Sequence, residues 1–405
     1  MKPLKSVLLP AYEVVRDRPA LERLLLPAAE ALRRGQPVAF PTETVYGLGA
    51  AITIPEAIET VFRMKGRPND NPLIVHVHDI RSIQPLVAAF SPVARSLAEA
   101  FMPGPLTLVL PRSERVPDGV TAGLNSVGIR IPESEIARTL IRLAGLPVAA
   151  PSANLSGHPS PTTAQHVLHD FAGQLSFVVD GGPCRVGLES TVLDLCAPAP
   201  VILRPGAVTG EEILTVLNEQ GFEFPADNWR ERLTGVGPTD EAAAESETPK
   251  APGMKYRHYA PGAAVELFFG ESAEERLKHL LEGVTARLSA PLPGDLAVFA
   301  GDEVIGGICA ADLPVCCVRL DPDTMKTDYK PPFRSCDHPD RPVLYTYSYG
   351  TEGSVEAAAR HLFDALRSLD ELHPQVIFAS ALPDDRLGAA YMNRLRKAAG
   401  GTEEE

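Results

Sequence analysis

Short apolar runs recur from one end of this chain to the other, and each is cut off by proline, glycine or a polar cluster. Between several of them lie longer stretches whose apolar residues fall at helical spacing. Runs this short are strand material, and strands alternating with amphipathic helices build α/β layers. In the N-terminal half the predicted strands are Pro37–Phe40, Leu73–Val77, Leu106–Leu110, Val127–Ile131, Pro147–Ala150, Phe177–Asp180, Ser190–Leu195 and Val201–Arg204. Helices are predicted over 20–35, 55–64, 91–101 and 133–144. The first carries Leu21, Leu24, Leu25, Ala28, Ala31 and Leu32 on one face and stops at Gly35; the last stops at Gly145.

Periodicity fades over 221–262, where Ala242–Pro249 is acidic and poor in apolar residues, the composition of a linker. The alternation then resumes, with strands expected at Ala264–Phe269, Leu296–Phe299, Val315–Arg319 and Gln375–Ala379. Helices are expected at Ser272–Glu282 and Val355–Leu369. The expected organisation is a mixed α/β domain over 1–215, a linker over 216–262 and a smaller Rossmann-like α/β/α domain over 263–405. The last lacks a Gly-x-Gly-x-x-Gly fingerprint, so no dinucleotide is assigned to it. The 302–342 stretch reads as irregular and without a role.

Composition narrows the class. No apolar run approaches the ~18 residues of a membrane span, and Met1–Pro10 is too short and too proline-broken for a signal peptide. The six cysteines include no Cys-x-x-Cys pair, so neither a zinc site nor a disulfide framework is expected, and a reducing, cytoplasmic setting fits. Residues 1–210 carry 19 Lys/Arg against 18 Asp/Glu, whereas the remainder carries 19 against 34. The C-terminal part would therefore repel nucleic acid over most of its surface.

Polar loops leave the N-terminal strands at Pro41–Gly49, Lys65–Pro72, Asn125–Arg130, Pro151–Ser160, Leu188–Thr191 and Arg204–Gly206. Open α/β sheets collect ligands at such strand ends. Lys65-Gly66-Arg67 places two cations around a glycine, and an extended backbone there would point both side chains the same way. A lone Lys-x-Arg is usually a solvated turn, but a fixed pair suits a polyphosphate. Cys184 has no histidine nearby in sequence, and no serine triad can be assembled. This favours positioning and charge stabilisation, as in phosphoryl or nucleotidyl transfer, over covalent catalysis. Asp180, Glu189 and Asp194 have no metal-cage spacing. A Mg2+ ion riding on ATP needs few protein ligands, so no metal is assigned to the protein alone.

Seven stretches together resemble the threonylcarbamoyl-AMP synthases of the longer, two-domain type, with a YrdC-like catalytic domain. They are Pro41–Gly49, Lys65–His76, Pro103–Thr107, Val127–Pro132, Ala150–Gly157, Glu189–Val192 and Leu203–Gly206. The linker Pro252–Pro261 and Leu387–Ala399 match as well, and the departures, the acidic insert and the 302–342 stretch, touch none of these motifs. The resemblance implies a twisted, concave α/β sheet that condenses L-threonine, bicarbonate and ATP into threonylcarbamoyl-adenylate and pyrophosphate. The product would feed N6-threonylcarbamoyladenosine formation in tRNAs reading ANN codons, through a downstream threonylcarbamoyl transferase, with tRNA contact a further expectation.

By the same resemblance Thr44, His76, Arg130, Ser190 and the backbone at Ala150 line the threonine site. Arg130 is suited to the carboxylate. Lys65, Arg67, Asn71, Ser126, Ser152, Asn154, Ser160 and Arg204 would hold ATP, with Lys65 and Arg67 the catalytic cations that stabilise charge as pyrophosphate leaves. Lys255, Tyr256, Arg257, His258 and Tyr259 would form a lid that excludes water from a labile carbamoyl intermediate. His76 has two readings, a general base or a hydrogen-bonding wall of the pocket. The alternative function is a double-stranded RNA or tRNA binding module without turnover, against which the near-neutral N-terminal half argues. A carbamoyl-transfer enzyme of the hydrogenase-maturation kind would need zinc-finger and acylphosphatase-like modules, and neither is found in the sequence.

Overall fold

A computed structural model of the chain describes residues 6–225, 228–234, 249, 259–290, 294–320 and 341–400. They form two compact units. The first holds the described residues up to Ser156, those between Ser160 and Pro249, and Asp385–Ala390. The second holds Gly157–Pro159, the described residues between Tyr259 and Asp384, and those from Tyr391 on.

In the first unit the elements run β1 (Val7–Pro10), α1 (Arg18–Arg33), β2 (Val38–Phe40), β3 (Gly47–Ala51), α2 (Pro55–Lys65), β4 (Ile74–His76), α3 (Pro92–Phe101), β5 (Leu106–Pro111) and α4 (Asp118–Thr121). They continue through β6 (Ser126–Arg130), α5 (Glu135–Ala144), β7 (Val148–Ala149), α6 (Ala164–Asp170), β8 (Phe177–Asp180), β9 (Thr191–Asp194), β10 (Val201–Arg204), α7 (Gly210–Glu219) and α8 (Trp229–Thr234). The ends obey local chemistry. The Asp17 carboxylate accepts from Ala20 N at 3.1 Å to open α1, and Gly35 closes it at φ 76°. Gly145 closes α5 in the left-handed conformation, as expected.

The ten strands make one mixed sheet in the order β1-β8-β2-β3-β7-β4-β6-β5-β9-β10. Parallel pairs β4–β6 and β5–β9 alternate with antiparallel pairs β7–β4 and β6–β5. One face buries Leu48, Ala50, Val75, Leu108, Ile129 and Leu193 in a single large core with α2, α3, α6, α7 and α8. On the other face α1 and α5 cover the β1-β8-β2-β3-β7 half of the sheet, through Leu25, Leu32, Leu140 and Ile141 against Phe40, Val148 and Val179.

Two expectations change here. Residues 41–49 are not all loop, because Gly47–Ala51 pairs with both β2 and β7 as β3. A Cβ at Gly49 would stand 2.6 Å from the Phe40 ring, so this glycine-rich strand admits a close neighbour where a propensity reading finds only a turn. The linker also begins later than 216. Ile213, Leu217, Trp229 and Leu233 are buried in the first unit's core, and apolar burial keeps 210–234 there.

The second unit contains β11 (Ala264–Phe268), α9 (Ala273–Leu288), β12 (Leu296–Ala300), α10 (Asp302–Ala310), β13 (Cys316–Leu320), β14 (Val343–Ser348), α11 (Val355–Asp370) and β15 (Val376–Ser380), and α12 (Arg386–Ala398) closes the chain. Its five strands are all parallel, in the order β11-β15-β12-β14-β13. Such a sheet needs helical crossovers, and its strands read as continuous apolar runs. Part of the stretch expected to be irregular is regular after all, since α10 buries Val304, Ile305 and Ile308, while β13 falls where the Val315–Arg319 strand was expected and pairs with β14. Residues 321–340 lie outside the described residues. The expectation of no disulfide is also overturned. Cys309 and Cys317 are bonded, with Cα atoms 5.8 Å apart. The end of α10 meets β13 there, a juxtaposition that Cys-x-x-Cys spacing does not detect.

Candidate functional site

Strand alternation sorts the first unit's residues onto two faces. Opposite the large core, β4, β6, β5, β9 and β10 carry only a small apolar cluster of Ile74, Val109 and Val192 with Leu203 against it. No helical residue belongs to that cluster. Around it stand His76, Arg130, Thr107, Ser190 and Arg204, all buried. The register puts His76 directly beside Arg130 across the β4–β6 pair. This meeting of strand ends gathers most of the expected threonine-binding set.

The imidazole Nδ1 of His76 lies 3.3 Å from the Ile74 carbonyl oxygen, and its ring meets the Phe40 ring edge to face at 6.2 Å. Burial, then the adjacent Arg130 charge, lowers its pKa to about 3. The ring is therefore neutral near pH 7, with Nδ1–H donating to Ile74 and Nε2 left as an acceptor. Ser190 Oγ lies 2.8 Å from Thr107 Oγ1. Arg204 donates to the Ser190 carbonyl from Nη2 at 2.9 Å and from Nε at 3.2 Å, which ties this expected ATP ligand to an expected threonine ligand. Thr44 Oγ1 lies 2.8 Å from Thr42 Oγ1, and Ala150 N donates to Ile74 O at 3.0 Å beside His76.

Arg130 is not simply a cation facing a substrate. Its Nη2 donates to Glu43 Oε1 at 2.7 Å and its Nε to Gly104 O at 3.2 Å. The other Glu43 oxygen accepts from Glu133 N at 2.9 Å. Sequence reasoning missed Glu43 and Thr107. The signal for Glu43 was an acid beside Thr44 in the first loop, but its partner is 87 residues away.

The phosphate-type residues form a second group. Lys65 ends α2, and Gly66, at φ 61°, turns the chain so that Arg67 N bonds Phe62 O at 3.0 Å. The backbone is thus a left-handed helix cap and not extended, and the cap, rather than strand alternation, sets both cations. Lys65 Nζ reaches the Ser152 and Asn154 carbonyls at 2.6 and 2.5 Å, while Ser156 N returns to Lys65 O at 2.8 Å. Ser152 Oγ donates to Asn154 Oδ1 at 2.5 Å. Leu48 N and Ala153 N anchor the loop to Pro151 O and Tyr46 O at 2.8 Å each, and Leu155 N donates to Asp170 Oδ2 at 3.2 Å. The loop therefore wraps a buried ammonium.

Arg67 bonds Asn71 O at 3.3 Å and Pro72 O at 3.0 Å. The buried Asn71 Oδ1 has no hydrogen-bond partner among the described residues, which leaves it an acceptor for a ligand N–H or hydroxyl. Ser160 Oγ donates to the buried Glu189 carboxylate at 2.5 Å. Ser126 opens β6, four residues from Arg130 on the same strand face and so about 13 Å from it. Among the described residues, no hydrogen bond joins the Ser126 side chain to the other site residues. Of the lid set, Lys255–His258 lie outside the described residues. Tyr259, in the second unit, packs its ring against Phe363 at 5.2 Å. Among the described residues no three acidic, His or Cys side chains gather as a metal site, and no helix is long and apolar enough to cross a membrane.

Known proteins place this geometry in a lineage. A family model described as telomere recombination (Sua5, YciO, YrdC) matches residues 30–206, and one described as the threonylcarbamoyl-AMP synthase C-terminal domain matches 208–400. The threonylcarbamoyl-AMP synthase of Bacillus subtilis is 40% identical over 92% of this chain and 92% of its own length. That of Pyrococcus abyssi is 40% identical over 92% and 93%. The crystal structure of P. abyssi Sua5 complexed with L-threonine superposes with a TM-score of 0.72 at 39% identity, covering 94% of this chain and 95% of that one. Two adjoining family models and relatives matched along nearly their whole length leave one assignment: this chain belongs to the threonylcarbamoyl-AMP synthase family.

Proposed function

We propose that this protein condenses L-threonine, bicarbonate and Mg·ATP into threonylcarbamoyl-adenylate, releasing pyrophosphate and water. The product would supply a downstream transferase for N6-threonylcarbamoyladenosine in tRNAs that read ANN codons, in the cytoplasm. The observation that carries this reading is the Lys65 ammonium clamped between the Ser152 and Asn154 carbonyls, with Arg67 two residues on. Two cations held by backbone oxygens cannot follow solvent, so they act as preorganised charge for departing pyrophosphate. A threonine complex of a 39% identical relative supports the amino-acid half of the site.

In the proposed sequence the free amine of threonine attacks bicarbonate or CO2 to form N-carboxy-threonine. That carboxylate attacks the α-phosphorus of ATP, and the bond to the β-phosphate oxygen breaks. Arg130 takes the threonine carboxylate, and Ser190 and Thr44 take other polar groups. His76, with its pKa held at about 3, is too weak a base to deprotonate an ammonium. We read it instead as a hydrogen-bond acceptor at Nε2, a wall of the threonine pocket. Lys65, Arg67, Asn71, Ser126, Ser152, Asn154, Ser160 and Arg204 hold the nucleotide, and Mg2+ enters on the phosphates, where it needs few protein ligands. Lys255–Tyr259 act as the lid, and deleting residues 250–405 is expected to cripple synthesis.

The test is pyrophosphate release from ATP with threonine and bicarbonate omitted in turn. The reading requires dependence on both and loss in Lys65→Ala. Release indifferent to threonine would mark a nucleotide hydrolase. No release, with salt-dependent tRNA binding, would mark an RNA-binding module.

A further inference from the structure

The Arg130 guanidinium meets a buried carboxylate that the proposed chemistry does not use. Glu43 and Arg130 side chains are 4% and 5% exposed, so the pair is almost wholly shielded from solvent. Two of the three guanidinium nitrogens are committed, Nη2 to Glu43 and Nε to the Gly104 carbonyl. Nη1 makes no hydrogen bond among the described residues. Glu43 is itself held at both ends: Oε2 accepts from Glu133 N at 2.9 Å and its own carbonyl accepts from Val186 N at 2.8 Å. Glu133 in turn is paired with Arg185. The carboxylate thus stands on two separate segments, with the guanidinium hung from it.

We propose that Glu43 is a positioning residue for the substrate amino acid. It grips the Nε–Nη2 side of the Arg130 guanidinium together with Gly104 O, so that Nη1 is presented to the carboxylate of L-threonine. The inference rests on the proposed role of Arg130. A long cationic side chain tied at one nitrogen still rotates, whereas one tied at two has a fixed plane, and a planar fork binds carboxylate only when oriented. Glu43 also neutralises Arg130 before substrate arrives. A neutral pair takes a zwitterion such as an amino acid in preference to a polyphosphate, which leaves the phosphates to Lys65 and Arg67.

Glu43→Gln, Glu43→Asp and Arg130→Gln, singly and with each Glu43 change combined with Arg130→Gln, would be made in the full-length chain. L-threonine binding by calorimetry and the separate KM values for threonine and ATP would be measured. Glu43→Gln is expected to raise the threonine KM about tenfold or more while the ATP KM stays within about twofold, since ångström-scale misplacement of a binding group costs on this order. Glu43→Asp keeps the charge opposite Arg130 but is too short to reach both Arg130 and Glu133 N. A smaller rise is expected. In the Arg130→Gln background neither Glu43 change should weaken threonine binding further.

If Arg130→Gln raises the threonine KM and both Glu43 variants leave it unchanged, the positioning role is wrong and the Arg130 reading stands. If Arg130→Gln leaves threonine binding intact, the Arg130 reading itself fails. Equal effects of the Glu43 changes with and without Arg130, or a parallel loss in threonine and ATP affinity, would make Glu43 a general structural residue and overturn the proposal.

Discussion

His76 makes acid stability a test of the site's burial. Its pKa in the folded chain is about 3, against 6.5 for the free side chain. The sign follows from proton counting: between these values the unfolded chain binds a proton that the folded chain does not. This contribution to stability is complete above pH 6.5 and is lost as pH falls toward 3. At pH 5 the free side chain lies 1.5 pH units below its pKa. At 1.36 kcal/mol per unit this is a loss of about 2 kcal/mol relative to pH 7. The chain's single tryptophan, Trp229, is buried in the first unit's core and packs edge-on to Phe224 at 4.9 Å. Its fluorescence during urea unfolding therefore reports the unit that holds His76, without assuming that both units unfold together. Comparing pH 7 with pH 5, wild type should lose about 2 kcal/mol more than His76→Gln, whatever the variant's absolute stability. Equal losses in the two proteins would refute the argument, because His76 would then be solvated or already paired with a partner that favours its charge.

Other expectations follow from single contacts. Lys65→Arg keeps the charge, but a planar fork cannot replace an ammonium between the Ser152 and Asn154 carbonyls, so pyrophosphate release should fall about 100-fold, measured at saturating substrates. Gly206→Ala would set a Cβ 2.2 Å from Thr191 N, against backbone that cannot yield, and should destabilise the first unit by ~3 kcal/mol in the Trp229 urea assay. Gly66→Ala meets no neighbouring atom but must hold φ 61°, so a milder cost of ~1 kcal/mol is expected. Thr209→Ala breaks a capping box in which Thr209 N reaches Glu212 Oε2 at 2.8 Å and Glu212 N returns to Thr209 Oγ1, and should cost about 1 kcal/mol in the same assay.

Most strands and helices were legible because their signals are local. Leu106–Pro111, Phe177–Asp180 and Val201–Arg204 fall where apolar runs between breakers put them, and α1, α3, α5 and α11 where spacing and caps put them. The misses share a cause. β14 is a buried parallel strand in a segment without alternation, and its identity depends on pairing with β12 and β13. β3 is rich in small residues that propensity assigns to turns, and β2 and β7 override that preference. α8 lies in a stretch that reads as linker, and Trp229 and Leu233 fold it onto the core.

The candidate site divides along the same line. Residue types and short spacings singled out two cations around Gly66, the Ser-x-Asn loop, His76 and Arg130, and the resemblance those motifs carry together pointed to the family. What each group does was decided in space. Lys65 is a clamped charge because Ser152 and Asn154, 87 and 89 residues away, turn their carbonyls to it. Arg130 is half of an ion pair because Glu43 is folded against it, and His76 is a neutral acceptor because both its burial and that arginine disfavour a second proton. Covalent structure sets which charges a chain owns. Coulomb energy and desolvation depend on distance and on exclusion of water, and only tertiary structure supplies those.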